Sequence, residues 1–432
     1  MEHFIKSNPG NLSSSKEVRD FYERYPYPGP LDNLDKYRQR PDDRQRKLAD
    51  HFLYKPHIPF TEDSSVLIAG CGTSQAAKHA MRLPGSKVTG IDFSETSVNC
   101  TLKLKKKYEL NNLEVHRLEI EKVNELGLKF DKIICTGVLH HLKDPDAGLS
   151  ALREVLKPGG AMQLMVYAPY GRAGIYMMQE FCRLAGISAN EKGIHDLTEI
   201  LRSLPPGHPL EKLIRDAPDF LHDGSIADSL LNPQDRAYTV TQLFELVKNA
   251  GMKFVRWVRQ APYSYHCGVM SQLPVKNDIS KLTQEEQFSA AELFRGTMVR
   301  HSIIAYRNDD PSGTQQVSFK NDNINIKNEW LKYIPIRVPE TICITDRLPK
   351  DIDAAAVLIN RTHAYRDLIL PIGKSEKKLF DSIDGIKSIG EITDGINDNM
   401  NNESITDPAA KFFEQLWWYD QVVFNTSEAG NN

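Results

Sequence analysis

The 432-residue chain has no apolar stretch long enough to cross a membrane and no apolar signal core at its N-terminus. A cytoplasmic protein with no membrane partner is the expectation. An excess of either charge is lacking too: the formal net charge is −3 with 26% charged residues, so no general polyanion-binding surface is indicated and nucleic acid is not an expected partner. The basic run Lys103-Leu104-Lys105-Lys106-Lys107 reads as the solvated face of a helix rather than a nucleic-acid site. Cysteine is sparse, with six residues at positions 71, 100, 135, 182, 267 and 343, none in a CxxC pair or at a metal-ligand spacing. That argues against a disulfide frame or a zinc site, and no metal is expected.

What the chain does have is an apolar strand, Val66-Leu67-Ile68-Ala69, running into the turn Gly70-Cys71-Gly72-Thr73-Ser74 and then into a helical pattern. Glycine suits such a turn because a side chain would keep a ligand off the backbone and because the turn needs dihedrals that a Cβ disfavours. A second apolar strand, Lys87 to Ile91, ends in Asp92, 22 positions beyond Gly70 (92 − 70). An acid there is placed to accept hydrogen bonds from both ribose hydroxyls of a nucleotide. Asp92 also reads as an N-cap for the helix expected at Ser94 to Lys107, and the two roles are compatible. A nicotinamide-dinucleotide fingerprint would need a third glycine three residues after Gly72, where the chain has Gln75.

Further strands are expected at Leu113 to Leu118 and Phe130 to Cys135, the latter leading into Thr136-Gly137-Val138-Leu139-His140-His141-Leu142. A helix at Asp146 to Leu156, the turn Lys157-Pro158-Gly159-Gly160 and a fifth strand at Ala161 to Tyr167 follow. This alternation predicts an α/β fold whose mostly parallel sheet is covered on both faces, with ligand groups at the C-terminal ends of the strands.

Four motifs, Ala69 to Thr73, Gly90-Ile91-Asp92-Phe93-Ser94, Val138 to Leu142 and Arg153 to Gly160, stand in an order and spacing that resemble the class I S-adenosylmethionine-dependent methyltransferases. The resemblance runs over residues 61 to 308, where Thr239 to Gly251 looks like the helix before strand six, Met252 to Val258 like that strand and Ser302 to Arg307 like an antiparallel seventh strand. It implies a Rossmann-like seven-stranded, mostly parallel sheet flanked by helices, and S-adenosylmethionine as cofactor. It further implies that Gly70, Cys71 and Gly72 support the methionine moiety, that Asp92 takes the ribose with Phe93 against the adenine, and that Glu119 reads the adenine amine. Thr136, Gly137 and Val138 would line the methyl side. The chain departs from the family at Ala69, where an acid is frequent, and at Ser74, the third glycine position.

Methyl transfer asks mainly for alignment and exclusion of water, with a general base only when the acceptor must lose a proton. Candidate catalytic residues are His140, His141, Tyr170 and Arg172. For the adjacent histidines a structural or capping role stands beside that of a base. Candidate substrate contacts lie outside the sheet. An N-terminal lid, residues 1–60, carries a helix at Ser15 to Tyr25 and then Tyr25-Pro26-Tyr27-Pro28-Gly29-Pro30, where proline ends the helix and Tyr25 and Tyr27 suit a cationic ligand, or else a packing clasp. A helical cap, residues 168–238, is inserted after strand five and offers Tyr176, Gln179, Arg236 and Tyr238.

The methyltransferase domain is thus expected at 61–310, a polar linker at 311–329 and a small α+β accessory domain at 330–432. That last domain resembles winged-helix-like domains that bind peptide leaders. The expected activity is methyl transfer to a small-molecule acceptor under the cap. Two alternatives remain: methylation of a peptide or protein recruited by the C-terminal domain, and a non-catalytic cofactor-binding regulator or scaffold. The acceptor atom and the oligomeric state, a homodimer included, stay open.

Overall fold

A computed structural model of the chain describes residues 15–38, 43–216, 220, 222–310, 317–319, 328–348, 354–397 and 406–427. The start of the expected lid (1–14) and most of the expected linker (311–316 and 320–327) lie outside the described residues. The chain divides into two compact units, one drawn from Met1–Gln39, Glu62–Phe254 and Glu292–Asp309 and the other from Arg40–Thr61, Val255–Ala291 and Asp310–Asn432.

Seven strands form the large sheet: β1 (Ser65–Ala69), β2 (Lys87–Asp92), β3 (Leu113–Arg117), β4 (Phe130–Thr136), β5 (Leu156–Tyr167), β6 (Met252–Trp257) and β7 (Arg300–Arg307). Their order is β3-β2-β1-β4-β5-β7-β6. β1 pairs parallel with β2 and β4, β2 with β3 and β4 with β5, whereas β7 pairs antiparallel with β5. The expected Rossmann-like, mostly parallel sheet is therefore present. Val66, Leu67, Ile68 and Ala69 are all buried, the continuous apolar run of a strand covered on both faces. One covering layer holds Ala76, Ala77 and Ala80 of the helix Gln75–Arg82 and Leu104 of the helix Glu95–Lys107, packed with Val66, Ile68 and Ile134.

Two details differ from the expectation. The N-cap of the helix Glu95–Lys107 is Ser94, whose side chain accepts from the Ser97 amide, which leaves Asp92 for other work. β5 starts at Leu156 rather than Ala161, taking Pro158-Gly159-Gly160 into the strand. The pairing with β4 shifts register between Phe130 and Lys132, and Gly159 adopts a left-handed φ of 72°. A glycine bulge lets the chain turn from helix to strand without a separate loop.

The cap inserted after β5 is helical, with Ala173–Leu184, Glu191–Arg202 and Pro209–Asp216. It has an apolar core of its own that includes Ile175, Met178, Leu197, Leu201, Phe220 and Ile226. A short turn, Asp223–Ile226, runs on into a π-helical turn at Ala227–Leu231. The N-terminal helix Ser15–Arg24 packs on this cap through Phe21, Ile194 and Ala227.

In the second unit, β8 (Ile334–Arg337) pairs with β12 (Val422–Asn425), and β9 (Thr341–Ile344), β10 (Ala356–Asn360) and β11 (Ile369–Ile372) form an antiparallel sheet. Helices Lys374–Asp381, Ile389–Asn397 and Thr406–Trp418 complete the expected α+β composition. The helix Arg44–Tyr54 belongs to this unit, placing Ala49 and Phe52 against Ile336 and Val423. The Asp420 carboxylate ties its segments together, accepting from the amides of Gln260 (2.8 Å) and Ala261 (3.0 Å).

Candidate active site

The turn after β1 is held from below. The amides of Gly70 and Cys71 both donate to the Ile91 carbonyl at 2.9 Å, fastening the turn to the end of β2. Gly70 and Gly72 take left-handed φ values of 69° and 51°, open to glycine at little cost. A Cβ on Gly70 would collide with the Val138 side chain, and one on Gly72 would lie 3.0 Å from the Tyr27 carbonyl oxygen. The turn is thus approached on one side by the turn after β4 and on another by the N-terminal segment. Thr73 Oγ1 adds a bond to the Pro28 carbonyl at 2.7 Å.

Asp92 is buried at the tip of β2, and its carboxylate accepts from the Gly72 amide at 2.8 Å and the Ser94 amide at 3.0 Å. Burial pushes its carboxyl up to about 6, against the pull of those two amides. Cys71 is fully buried, and burial followed by the Asp92 charge raises its thiol well above the usual range. It serves as packing beneath Gly90, not as a nucleophile.

The other residues assigned to the cofactor gather at the same edge of the sheet. Phe93 is half-buried with its ring 6.0 Å from that of Tyr22. The Gly137 amide donates to the Met165 carbonyl, placing Thr136, Gly137 and Val138 beside the end of β5. Glu119, just past β3, is shared between Arg19 at 3.4 Å and Lys122 at 2.9 Å. Glu23 of the N-terminal helix accepts from the amides of Glu95 (2.5 Å) and Thr96 (2.9 Å), docking that helix on the N-terminus of the helix Glu95–Lys107.

Next to the turn after β4 lies a buried network of which the sequence marked only the two histidines. Asp228, on the π-helical turn, accepts from the Tyr22 hydroxyl at 2.6 Å, the Tyr167 hydroxyl at 3.4 Å and Asn232 Nδ2 at 3.4 Å. Burial first and the Asp228 charge second raise both phenols well above their ordinary range, so both stay protonated donors. His141 Nδ1 bonds the Gln234 carbonyl oxygen at 2.6 Å and Nε2 faces Asp228 at 4.0 Å. His140 is wholly buried with its ring centroid 3.8 Å from that of Tyr167. Neither of its nitrogens has a hydrogen-bond partner among the described residues, and burial holds the ring well below its ordinary pKa, hence neutral. A π-turn is a common functional distortion, but nothing in the periodicity of residues 223–231 announces one.

Of the remaining candidates, Arg172, Tyr176 and Gln179 come together around Asp235. Arg172 is buried, pairs with Asp235 at 3.0 Å, bonds the Tyr176 hydroxyl at 3.1 Å and lies 3.5 Å over the Tyr167 ring. Gln179 donates to the same Asp235 oxygen at 2.9 Å. The guanidinium is therefore already neutralised. Tyr25 sits in the cluster between the N-terminal helix and the cap, whereas Tyr27 is 40% exposed. Tyr238 is buried, its amide donating to the Tyr167 carbonyl and its phenol next to Arg236. Tyr170 stands apart from this network, beside Glu292.

The family described as "Methyltransferase domain" matches residues 67–162, from β1 into β5. Over this stretch the chain is similar to methyltransferase domains. The chain is 33% identical over 197 residues to the uncharacterized protein syc1184_c of Synechococcus sp., a match spanning 44% of this chain and 47% of that one. It is 30% identical over 173 residues to the ubiquinone biosynthesis O-methyltransferase of Brucella anthropi (40% and 62%), and 30% over 123 residues to the tRNA U34 carboxymethyltransferase of Nautilia profundicola (28% and 40%). The chain thus spans between 40% and 62% of the length of these curated relatives. In fold it resembles PKMT2 from Rickettsia typhi, solved in complex with AdoHcy, with a TM-score of 0.60 over 88% of this chain and 76% of that one at 16% identity.

The cofactor of such a domain is S-adenosylmethionine, and the residues fit it. The turn after β1 has no room for a side chain at Gly70 and only tight space for one at Gly72, and the Asp92 carboxylate, anchored by two amides, keeps lone pairs for the ribose hydroxyls. Gly70 to Gly72 would hold the methionine part and Phe93 the adenine.

Proposed function

We propose that the protein is an S-adenosylmethionine-dependent methyltransferase acting on a small-molecule acceptor enclosed beneath the cap. The bound cofactor supplies an electrophilic methyl group; the chain orients the acceptor and excludes water. The observation that carries this reading is the buried network in which Tyr22 of the N-terminal helix, His141 after β4, Tyr167 at the end of β5 and Asp228 of the cap meet. Four segments converging in this way would close over a ligand small enough to be surrounded. The O-methyltransferase among the relatives is in keeping with this class of acceptor.

Incubation of the full chain with methyl-labelled S-adenosylmethionine and a size-fractionated bacterial lysate tests the proposal. Label is expected in the small-molecule fraction. Label confined to protein or RNA would refute the acceptor class, and no transfer to any fraction would refute the activity.

A further inference from the structure

A carbonyl oxygen only accepts hydrogen bonds, so the 2.6 Å contact from His141 to Gln234 requires the proton on Nδ1. In a neutral ring Nε2 is then a bare lone pair, and it faces a second acceptor, the Asp228 carboxylate, across 4.0 Å. That carboxylate already takes bonds from Tyr22, Tyr167 and Asn232. Two acceptors set opposite each other become favourable when a proton arrives between them. His140 has no equivalent arrangement: it is buried and neutral, and neither of its nitrogens has a hydrogen-bond partner among the described residues.

We propose that His141 is the general base for a hydroxyl-bearing acceptor, with Asp228 as the positioning residue that stabilises the imidazolium formed. The inference rests on the methyltransferase reading above and names its acceptor class. In the step, an oxygen lone pair of the acceptor forms the bond to the donor methyl carbon. The methyl–sulfur bond breaks with its electron pair left on sulfur, and the hydroxyl proton passes to His141 Nε2 and later to solvent. A thioether or tertiary amine loses no proton on methylation and would have no use for this pair.

Two measurements test it. In the unmutated, ¹⁵N-histidine-labelled protein bound to S-adenosylhomocysteine, with His141→Gln giving the assignment, the His141 signals should show a protonated Nδ1 and a bare Nε2. A bare Nδ1 overturns the proposal, and this readout stands even if every variant misfolds. In the labelling assay with a bacterial ultrafiltrate, the wild-type product should be a methyl ether or ester. His141→Gln should lower transfer by about 10²-fold or more while calorimetry finds cofactor affinity unchanged, and added imidazole should restore part of the activity of His141→Ala. Asp228→Asn should depress turnover and Asp228→Glu recover part of it. Full activity of His141→Gln, or label in a sulfonium or quaternary ammonium product, overturns the inference. If the wild type labels no small molecule, the reading under Proposed function fails instead, and the ring-nitrogen spectrum alone decides the pairing.

Discussion

Asp92 accepts a hydrogen bond from the amide of Gly72 at 2.8 Å, so the acid at the tip of β2 and the glycine turn after β1 form one unit. Removing the acid should therefore loosen the turn as well as remove the proposed ribose contact. Hydrogen bonds to a charged group are worth about 1.5–3 kcal/mol, so Asp92→Ala should weaken S-adenosylmethionine binding by about 10- to 100-fold. Isothermal titration calorimetry measures this, and unchanged affinity would count against the assigned cofactor site.

The same carboxyl sets a pH dependence. Its value in the fold is raised from 3.8 to about 6, so the protonated form is the one favoured by folding. Its stabilising contribution is complete below the unfolded value and is lost as pH rises through about 6. Cofactor binding runs the other way, because only the carboxylate accepts from both ribose hydroxyls. Affinity should fall as pH drops below about 6 in the wild type and stay flat in Asp92→Asn. A wild-type profile equally flat across that range would show that Asp92 does not control binding.

Gly70→Ala should destabilise the protein by about 1–2 kcal/mol through its left-handed backbone alone, with an added steric cost against Val138. Combining it with Val138→Ala should relieve the steric part and leave the backbone part. Thermal melts of the two variants separate these contributions.

Arg172 and Asp235 are both buried within the cap network. Truncating one partner strands the other's charge, so Asp235→Ala should cost about 3–5 kcal/mol by chemical denaturation. The double variant Arg172→Met/Asp235→Leu, which strands neither charge, should be markedly more stable than the single one. Equal losses would mean that the pair acts through something other than its buried charge.

Glu23→Gln should release the N-terminal helix from Glu95 and Thr96. Burial raises this carboxyl, but the Thr96 side chain and the amides of Thr96 and Glu95 outweigh it and hold the group below its usual value. The docking is thus present at neutral pH and lost on acidification. Hydrogen exchange at the amides of residues 95 and 96 should speed up in the variant and in the acidified wild type.

Much of the methyltransferase core was legible in the chain, because its information is local. An apolar run of four residues, a glycine pair that tolerates left-handed dihedrals and an acid at a strand tip each declare themselves within a short window, and β1, the glycine turn and Asp92 formed where expected. Short segments carry less pattern. β8, only four residues long and containing Pro335, and the helix Arg44–Tyr54 were not anticipated, since their stability comes from packing with β12, far away in the chain. The early start of β5 depended on a glycine bulge whose register is set by β4.

The contacts around Asp228 belong to the tertiary structure. Tyr22 and Asp228 are 206 positions apart and meet at 2.6 Å, a contact that no periodicity encodes because each residue's own neighbourhood is an ordinary amphipathic helix or cap turn. Of the two adjacent histidines, only the folded chain shows which one has a carbonyl on one nitrogen and a carboxylate opposite the other. Local sequence prescribes backbone conformation over a few residues; which distant side chains share a buried network is settled by the packing of helices and cap around the sheet.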